Sequence, residues 1–224
     1  MSAAPVLALP WRLFPLSVSG GELTIRGLPV VIAERPNSDQ GTGHAVWDGS
    51  IILAKFLERR GMRPKEVVLE LGSGTGLVGI CCAVLGAERV ILTDLEYCLD
   101  NARANIAQNQ HYFPQGVRCE AECLDWYKPL DAMKWDKIDV VVMADVVWIE
   151  PLVVPLATTI AALHSKYGCE MFIAHQTRSR AVDSLFFGAV ERHGLHCVPI
   201  GKDDYHEQFR HPALTIYAIK PMHP

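Results

Sequence analysis

The stretch VVLELGSGTG, residues 67–76, restricts the fold of this chain more than any other. A run of strand type passes straight into glycines at Gly72, Gly74 and Gly76, and an apolar helical pattern, Leu77–Leu85, begins at once. A strand apolar at almost every position is buried on both faces, which calls for a parallel sheet covered by helices on each side. Glycines allow the tight bend and remove the Cβ that would hold a ligand away from the backbone. The helix N-terminus behind them offers free N–H groups to a polar or anionic group.

The rest of the chain repeats this alternation. Strands are expected at Val67–Leu71, Arg89–Thr93, Val117–Cys123, Ile138–Ala144 and Cys169–His175, with helices at Leu77–Leu85, Tyr97–Asn109, Pro151–Ser165 and Arg180–His193. A further helix is read over Trp47–Arg60. Leu195–Ile200 and Ala213–Ile219, joined by a short connection, are expected to pair as an antiparallel hairpin. Upstream, Leu16–Ser19, Glu22–Arg26 and Leu28–Ala33 around Gly20, Gly21 and Gly27 predict a small β-meander, followed by a polar loop at 34–44. The fold class is α/β: a Rossmann-like, seven-stranded, mostly parallel sheet with helices on both faces. One domain of 224 residues is expected, with residues 1–44 a β extension and 45–224 the core.

Composition narrows function by exclusion. Lys plus Arg total 21 against 25 Asp plus Glu, a formal charge of -4, so no basic excess marks a nucleic-acid or anionic-membrane partner. No apolar run approaches the roughly 20 residues a membrane helix needs. The apolar stretch Met1–Leu16 lacks a basic start and is broken by Pro5, Pro10, Arg12 and Pro15, unlike a signal peptide. The 7 cysteines form no CxxC pair and read as free thiols of a cytoplasmic protein. The 9 histidines show no metal-ligand spacing, and no metal is expected.

The glycine spacing admits two ligands. Gly72-x-Gly74-x-Gly76 is the methyltransferase form, whereas Gly74-x-Gly76-x-x-Gly79 matches a dinucleotide fingerprint. Glu70, a charge inside an apolar strand, must serve a ligand or the loop. An acidic group there suits the α-ammonium of a methionine moiety and repels a pyrophosphate. Asp94, ending the next strand, can accept ribose hydroxyls from either cofactor.

Several residues near the strand ends carry two readings. Trp126 in Asp125-Trp126 stacks on an adenine edge or packs in the core, and Trp47, opening its helix, reads by itself as packing. Asp145 follows the most apolar strand and emerges at its carboxyl edge. It either receives a nucleophile or caps the following helix. Trp148, three residues on, offers a π face for a cation. His175 at the end of the fifth strand reads as structural.

Val46-Trp47-Asp48, ELGSGTGLVG over 70–79, Thr93-Asp94, Asp125-Trp126 and Ala144-Asp145-Val146-Val147-Trp148 together resemble one group. This is the methyltransferase-like 21 group of seven-β-strand, non-SET protein-lysine methyltransferases, and the likeness covers about residues 44–178. The resemblance implies S-adenosyl-L-methionine as cofactor, held by Trp47, Glu70, Gly72, Ser73, Gly74, Asp94, Trp126 and Ala144. It implies Asp145 and Trp148 as catalytic residues. The expected acceptor is a lysine of a non-histone protein, such as a chaperone or translation factor, and the expected state is a monomer. The group's short motif is Asp-x-x-Tyr; here the last position is Trp148, which keeps the aromatic face and loses the hydroxyl. Rival readings are a same-fold methyltransferase with another acceptor, an NAD-dependent oxidoreductase, and a non-catalytic cofactor-binding module.

Overall fold

The computed structural model describes residues 13–36, 41–128, 130 and 135–222. Residues 37–40 of the expected polar loop and most of the apolar N-terminal stretch lie outside these.

The expected glycine-flanked strand is β3 (Val67–Leu71), and all of its residues are buried. It pairs in parallel with β4 (Arg89–Asp94) on one side and β6 (Val140–Ala144) on the other. With β5 (Arg118–Cys123), β7 (Glu170–Gln176), β8 (Leu195–Pro199) and β9 (Leu214–Pro221) they form a seven-stranded sheet in the order β5-β4-β3-β6-β7-β9-β8. The C-terminal pair is antiparallel as expected, but β9 lies between β7 and β8 and is antiparallel to both.

Period-two alternation sorts the sheet into two cores. Val68, Val140 and Val142 face α1 (Asp48–Arg60), α2 (Leu77–Val84) and part of α3 (Glu96–Asn109). Val67, Leu69, Leu71, Val141 and Met143 face α4 (Glu150–Tyr167) and α5 (Arg180–Arg192). The helices after β3 and β6, neighbouring strands, therefore leave the sheet toward opposite faces. Between them a crevice opens at the carboxyl ends, the topological switch point of such a sheet.

The N-terminal meander is smaller than its sequence suggests. Only β1 (Thr24–Ile25) and β2 (Leu28–Pro29) pair, across Arg26 and Gly27, both at positive φ (51° and 77°). Leu16–Ser19 runs into a turn at 18–21, and residues 30–33 alternate: Val30 N–H donates to Leu23 O and Ile32 N–H to Val18 O, whereas Val31 and Ala33 turn to a helix. Asn109 Oδ1 accepts the Val31 N–H at 3.0 Å and its Nδ2 donates to Val31 O at 2.7 Å. Asn105 Oδ1 accepts the Ala33 N–H at 2.9 Å, and Nδ2 of Asn101 and Asn105 both donate to Ala33 O. Side chains four apart share one face of α3, so three asparagines imitate a partner strand. Phe14, Val18, Leu23, Ile25, Val30 and Ile32 then join the same core as α1 and α2.

Among the described residues no helix is long and apolar enough to cross a membrane. Among the same residues, no group of three or more His, Cys, Asp or Glu is placed to hold a metal ion.

Candidate active site

Between β3 and α2 the glycine loop turns at Gly72, Gly74 and Gly76, with φ of 63°, 52° and 84°. A side chain is excluded at Gly74 twice over, by its backbone angle and because a Cβ would lie 2.7 Å from Gly43 O. The loop is tied to the neighbouring strand: Ser73 N–H donates to Thr93 O at 2.9 Å and Gly74 N–H to Asp94 Oδ2 at 2.7 Å. Asp94 Oδ1 accepts the Leu95 N–H, also at 2.7 Å. Burial pushes the Asp94 carboxyl up from its ordinary value, and these two N–H groups oppose the rise. Each carboxylate oxygen keeps lone-pair capacity for further donors.

Over this loop lies a cleft of about 350 Å³ at the switch point. Its wall includes Trp47, Gly72, Ser73, Gly74, Asp94, Trp126 and Ala144, seven of the eight residues expected to contact a cofactor. The two residues expected to act on an acceptor, Asp145 and Trp148, line it too. Ser73 Oγ is buried without a hydrogen-bond partner, a polar atom at the cleft wall that a bound polar group would satisfy. The charged side chains in the wall are Asp94, Asp125 and Asp145, with no Lys, Arg or His among the described lining residues. Such a wall favours a cationic guest.

Glu70 is the eighth residue and stands apart from the cleft. Strand alternation puts it on the face of Val68, toward α2, where it is 2 % exposed and Oε2 accepts the Gly79 N–H at 2.8 Å. Glu70 therefore serves the loop, satisfying a free N–H in the first turn of α2. Burial raises its carboxyl to about 8, with the Gly79 bond opposing. Gly79 belongs to packing as well: a Cβ there would collide with Leu92, so its bare Cα lets α2 approach β4. Helix–strand packing is also the role of the third glycine in the dinucleotide spacing, so Gly79 does not separate the two cofactors.

Asp145 sits in the left-handed region at φ 53°. Its side chain is only 2 % exposed. Oδ2 accepts the Gly49 N–H at 2.8 Å and Oδ1 the Gln176 N–H at 3.3 Å. The carboxylate is a helix cap, though for α1 rather than for the following α4. Burial raises its pKa from the ordinary value, while Arg178, these N–H groups and His175 pull the other way.

Trp148 is 39 % exposed at the cleft wall. Trp126 borders the space above Gly72, where a Cβ would lie 3.3 Å from its ring. Trp47, at the N-cap of α1, donates from Nε1 to Thr42 O at 3.2 Å, closing the strap of residues 41–47. His175 is buried and pairs with Asp183 at 2.9 Å, a structural role.

Ser50, Tyr97, Tyr127 and the strap residue Thr42 are among the wall residues to which the sequence assigned no site role. One of them left a readable trace. Pro155 inside α4 lacks the N–H that would bond Pro151 O, and the Tyr127 hydroxyl donates to that carbonyl instead, at 3.0 Å. Tyr97 follows Asp94 closely at the start of α3, and its ring stacks edge-on with His44 of the strap. Nothing local marks Ser50.

A family model described as lysine methyltransferase matches residues 29–193. The chain is 38% identical over 128 residues to the protein N-lysine methyltransferase METTL21A of Danio rerio, a match covering 56% of this chain and 57% of that protein. It thus spans little more than half of that relative. It is 31% identical over 179 residues to the EEF1A lysine methyltransferase 3 of Mus musculus, covering 79% of this chain and 74% of that one. Among solved structures it is similar to a TehB-like SAM-dependent methyltransferase from Corynebacterium glutamicum, with TM-score 0.54, 19% identity and coverage of 80% and 89%. That last likeness establishes the fold.

Proposed function

The chain belongs to the lysine methyltransferase family, and from that premise we propose that it transfers a methyl group from S-adenosylmethionine to a lysine side chain of another protein. The observation that carries this reading is the cleft. Its wall combines a glycine-loop backbone, the Asp94 carboxylate, the partnerless Ser73 hydroxyl and aromatic rings, with no cationic side chain among the described residues.

The residues present fit the cofactor. Gly72, Ser73 and Gly74 would hold its polar end, Asp94 its ribose hydroxyls, and Trp47, Trp126 and Ala144 its flat and apolar parts. When bound, the cofactor supplies an electrophilic methyl carbon on a sulfonium. The chain's own contribution is positioning and control of one proton. A lysine ammonium, with reference pKa about 10.4, must lose a proton before it can attack. Asp145 orients that nitrogen at the cleft wall. Its desolvated carboxylate holds a proton more readily than a solvated one, which suits it to accept the ammonium proton directly or through water. Trp148 gives the aliphatic stem and its charge a π surface.

The mouse relative's name makes EEF1A the first acceptor to try, with chaperones next. The cysteines are free, which suits the reducing cytoplasm as the place to look for the acceptor. The test incubates the protein with radiolabelled S-adenosylmethionine and cell extract, resolves the acceptors by size, and maps methylated lysines by mass spectrometry. Label on lysines of discrete proteins is the expected result. Label confined to small molecules, or to no acceptor while cofactor binds, would overturn the assignment.

A further inference from the structure

Arg178 follows β7 and lies just behind the cleft wall. Its guanidinium carbon is 4.6 Å from the centre of the Trp47 ring. Nη2 donates to Gln176 Oε1 at 3.0 Å and stands 3.9 Å from Asp145 Oδ1. Gln176 is itself 1% exposed, and its Nε2 finds no partner. The amide's carbonyl is thus committed to Arg178, which fixes the guanidinium from below. One side chain therefore meets two wall residues from different elements, Trp47 before α1 and Asp145 after β6.

We propose that Arg178 is a positioning residue for the transfer site, bracing the Trp47 ring and the Asp145 carboxylate at the cleft wall. The inference rests on the methyl-transfer reading above and deepens it. A planar cation does both tasks at once: its face covers an indole, and its charge stabilises a buried carboxylate. A lysine in its place would keep the charge and lose the flat stack and the guanidinium's single hydrogen bond to Gln176 Oε1.

The groups around Asp145 are few. From β7 and its continuation come Arg178 and His175, the latter paired with Asp183 of α5. From α1 comes the Gly49 N–H, while the Asp48 carboxylate beside it accepts the Leu13 and Phe14 N–H groups. Removing Arg178 takes away the strongest charge that opposes protonation of Asp145, leaving burial less contested. The carboxyl should then titrate at higher pH.

The experiment compares full-length wild type, Arg178→Met and Arg178→Lys, each checked for an unchanged circular dichroism spectrum. S-adenosylhomocysteine affinity is measured by calorimetry, and the Asp145 carboxyl is titrated by carbon-13 NMR, assigned with Asp145→Asn. Arg178→Met should lower affinity roughly threefold to tenfold, as for a lost cation–π brace, and raise the Asp145 midpoint. Arg178→Lys should lower affinity while leaving the midpoint near wild type. Unchanged affinity and midpoint in Arg178→Met would overturn the proposal. So would reduced affinity with an unmoved midpoint, which would make Arg178 only a packing partner of Trp47. Failure of wild type to bind S-adenosylhomocysteine would instead strike at the methyl-transfer reading itself.

Discussion

Asp145 caps helix α1 through the Gly49 N–H, 2.8 Å away and 96 residues earlier in the chain. The residue expected to meet the acceptor is therefore also the clasp that joins the end of β6 to the start of α1. Substitutions there report on both roles. Asp145→Ala leaves the Gly49 and Gln176 N–H groups unpaired and should cost about 1–3 kcal/mol of stability. Asp145→Asn suits the left-handed backbone and keeps one acceptor oxygen for the Gly49 N–H, while its NH2 faces the Gln176 N–H, so in urea it should lose less stability than Asp145→Ala while methyl transfer is lost. Full transfer by the Asn variant would remove Asp145 from the chemistry.

Asp94 holds the glycine loop by its Gly74 bond and faces the cleft. Asp94→Ala removes a charged acceptor from that N–H and from the ribose. S-adenosylmethionine affinity measured by calorimetry should fall by at least about tenfold, the scale of one charge-assisted hydrogen bond. Wild-type affinity would show that the ribose lies elsewhere.

Glu70 couples stability to pH. Its folded pKa of about 8 lies above the ordinary 4.5, so the native state holds the proton more tightly than the unfolded chain. Stability from this group is complete below pH 4.5 and declines as pH rises toward 8. Glu70→Gln mimics the protonated form, and should flatten this decline in denaturant titrations across the window. A variant with the same pH slope as wild type would contradict the assignment.

Asn105 stitches three backbone groups, the Ala33 N–H, Ala33 O and Thr75 O, and is fully buried. Asn105→Ala should therefore cost about 2–3 kcal/mol, since it strands polar groups in the interior. Limited proteolysis should cut first within residues 13–36. Equal protease resistance in the variant would mean that the asparagine ladder does not hold this segment.

The sequence by itself determined the strand–glycine–helix unit, the alternation around it, and the set of residues at the strand ends. These follow from short-range patterns: continuous apolar runs, glycines at a bend, and carboxylates one residue past a strand. Even the side of β3 taken by Glu70 follows from strand alternation, though its partner Gly79 does not follow from composition. Tertiary structure alone decided that Asp145 caps α1, that Arg178 lies on Trp47, and that asparagines of α3 replace a third N-terminal strand. Each of these contacts joins segments remote in the chain. Such a contact depends on where whole elements pack: even the four-residue spacing of the asparagines marks a shared helix face without saying which segment lies against it.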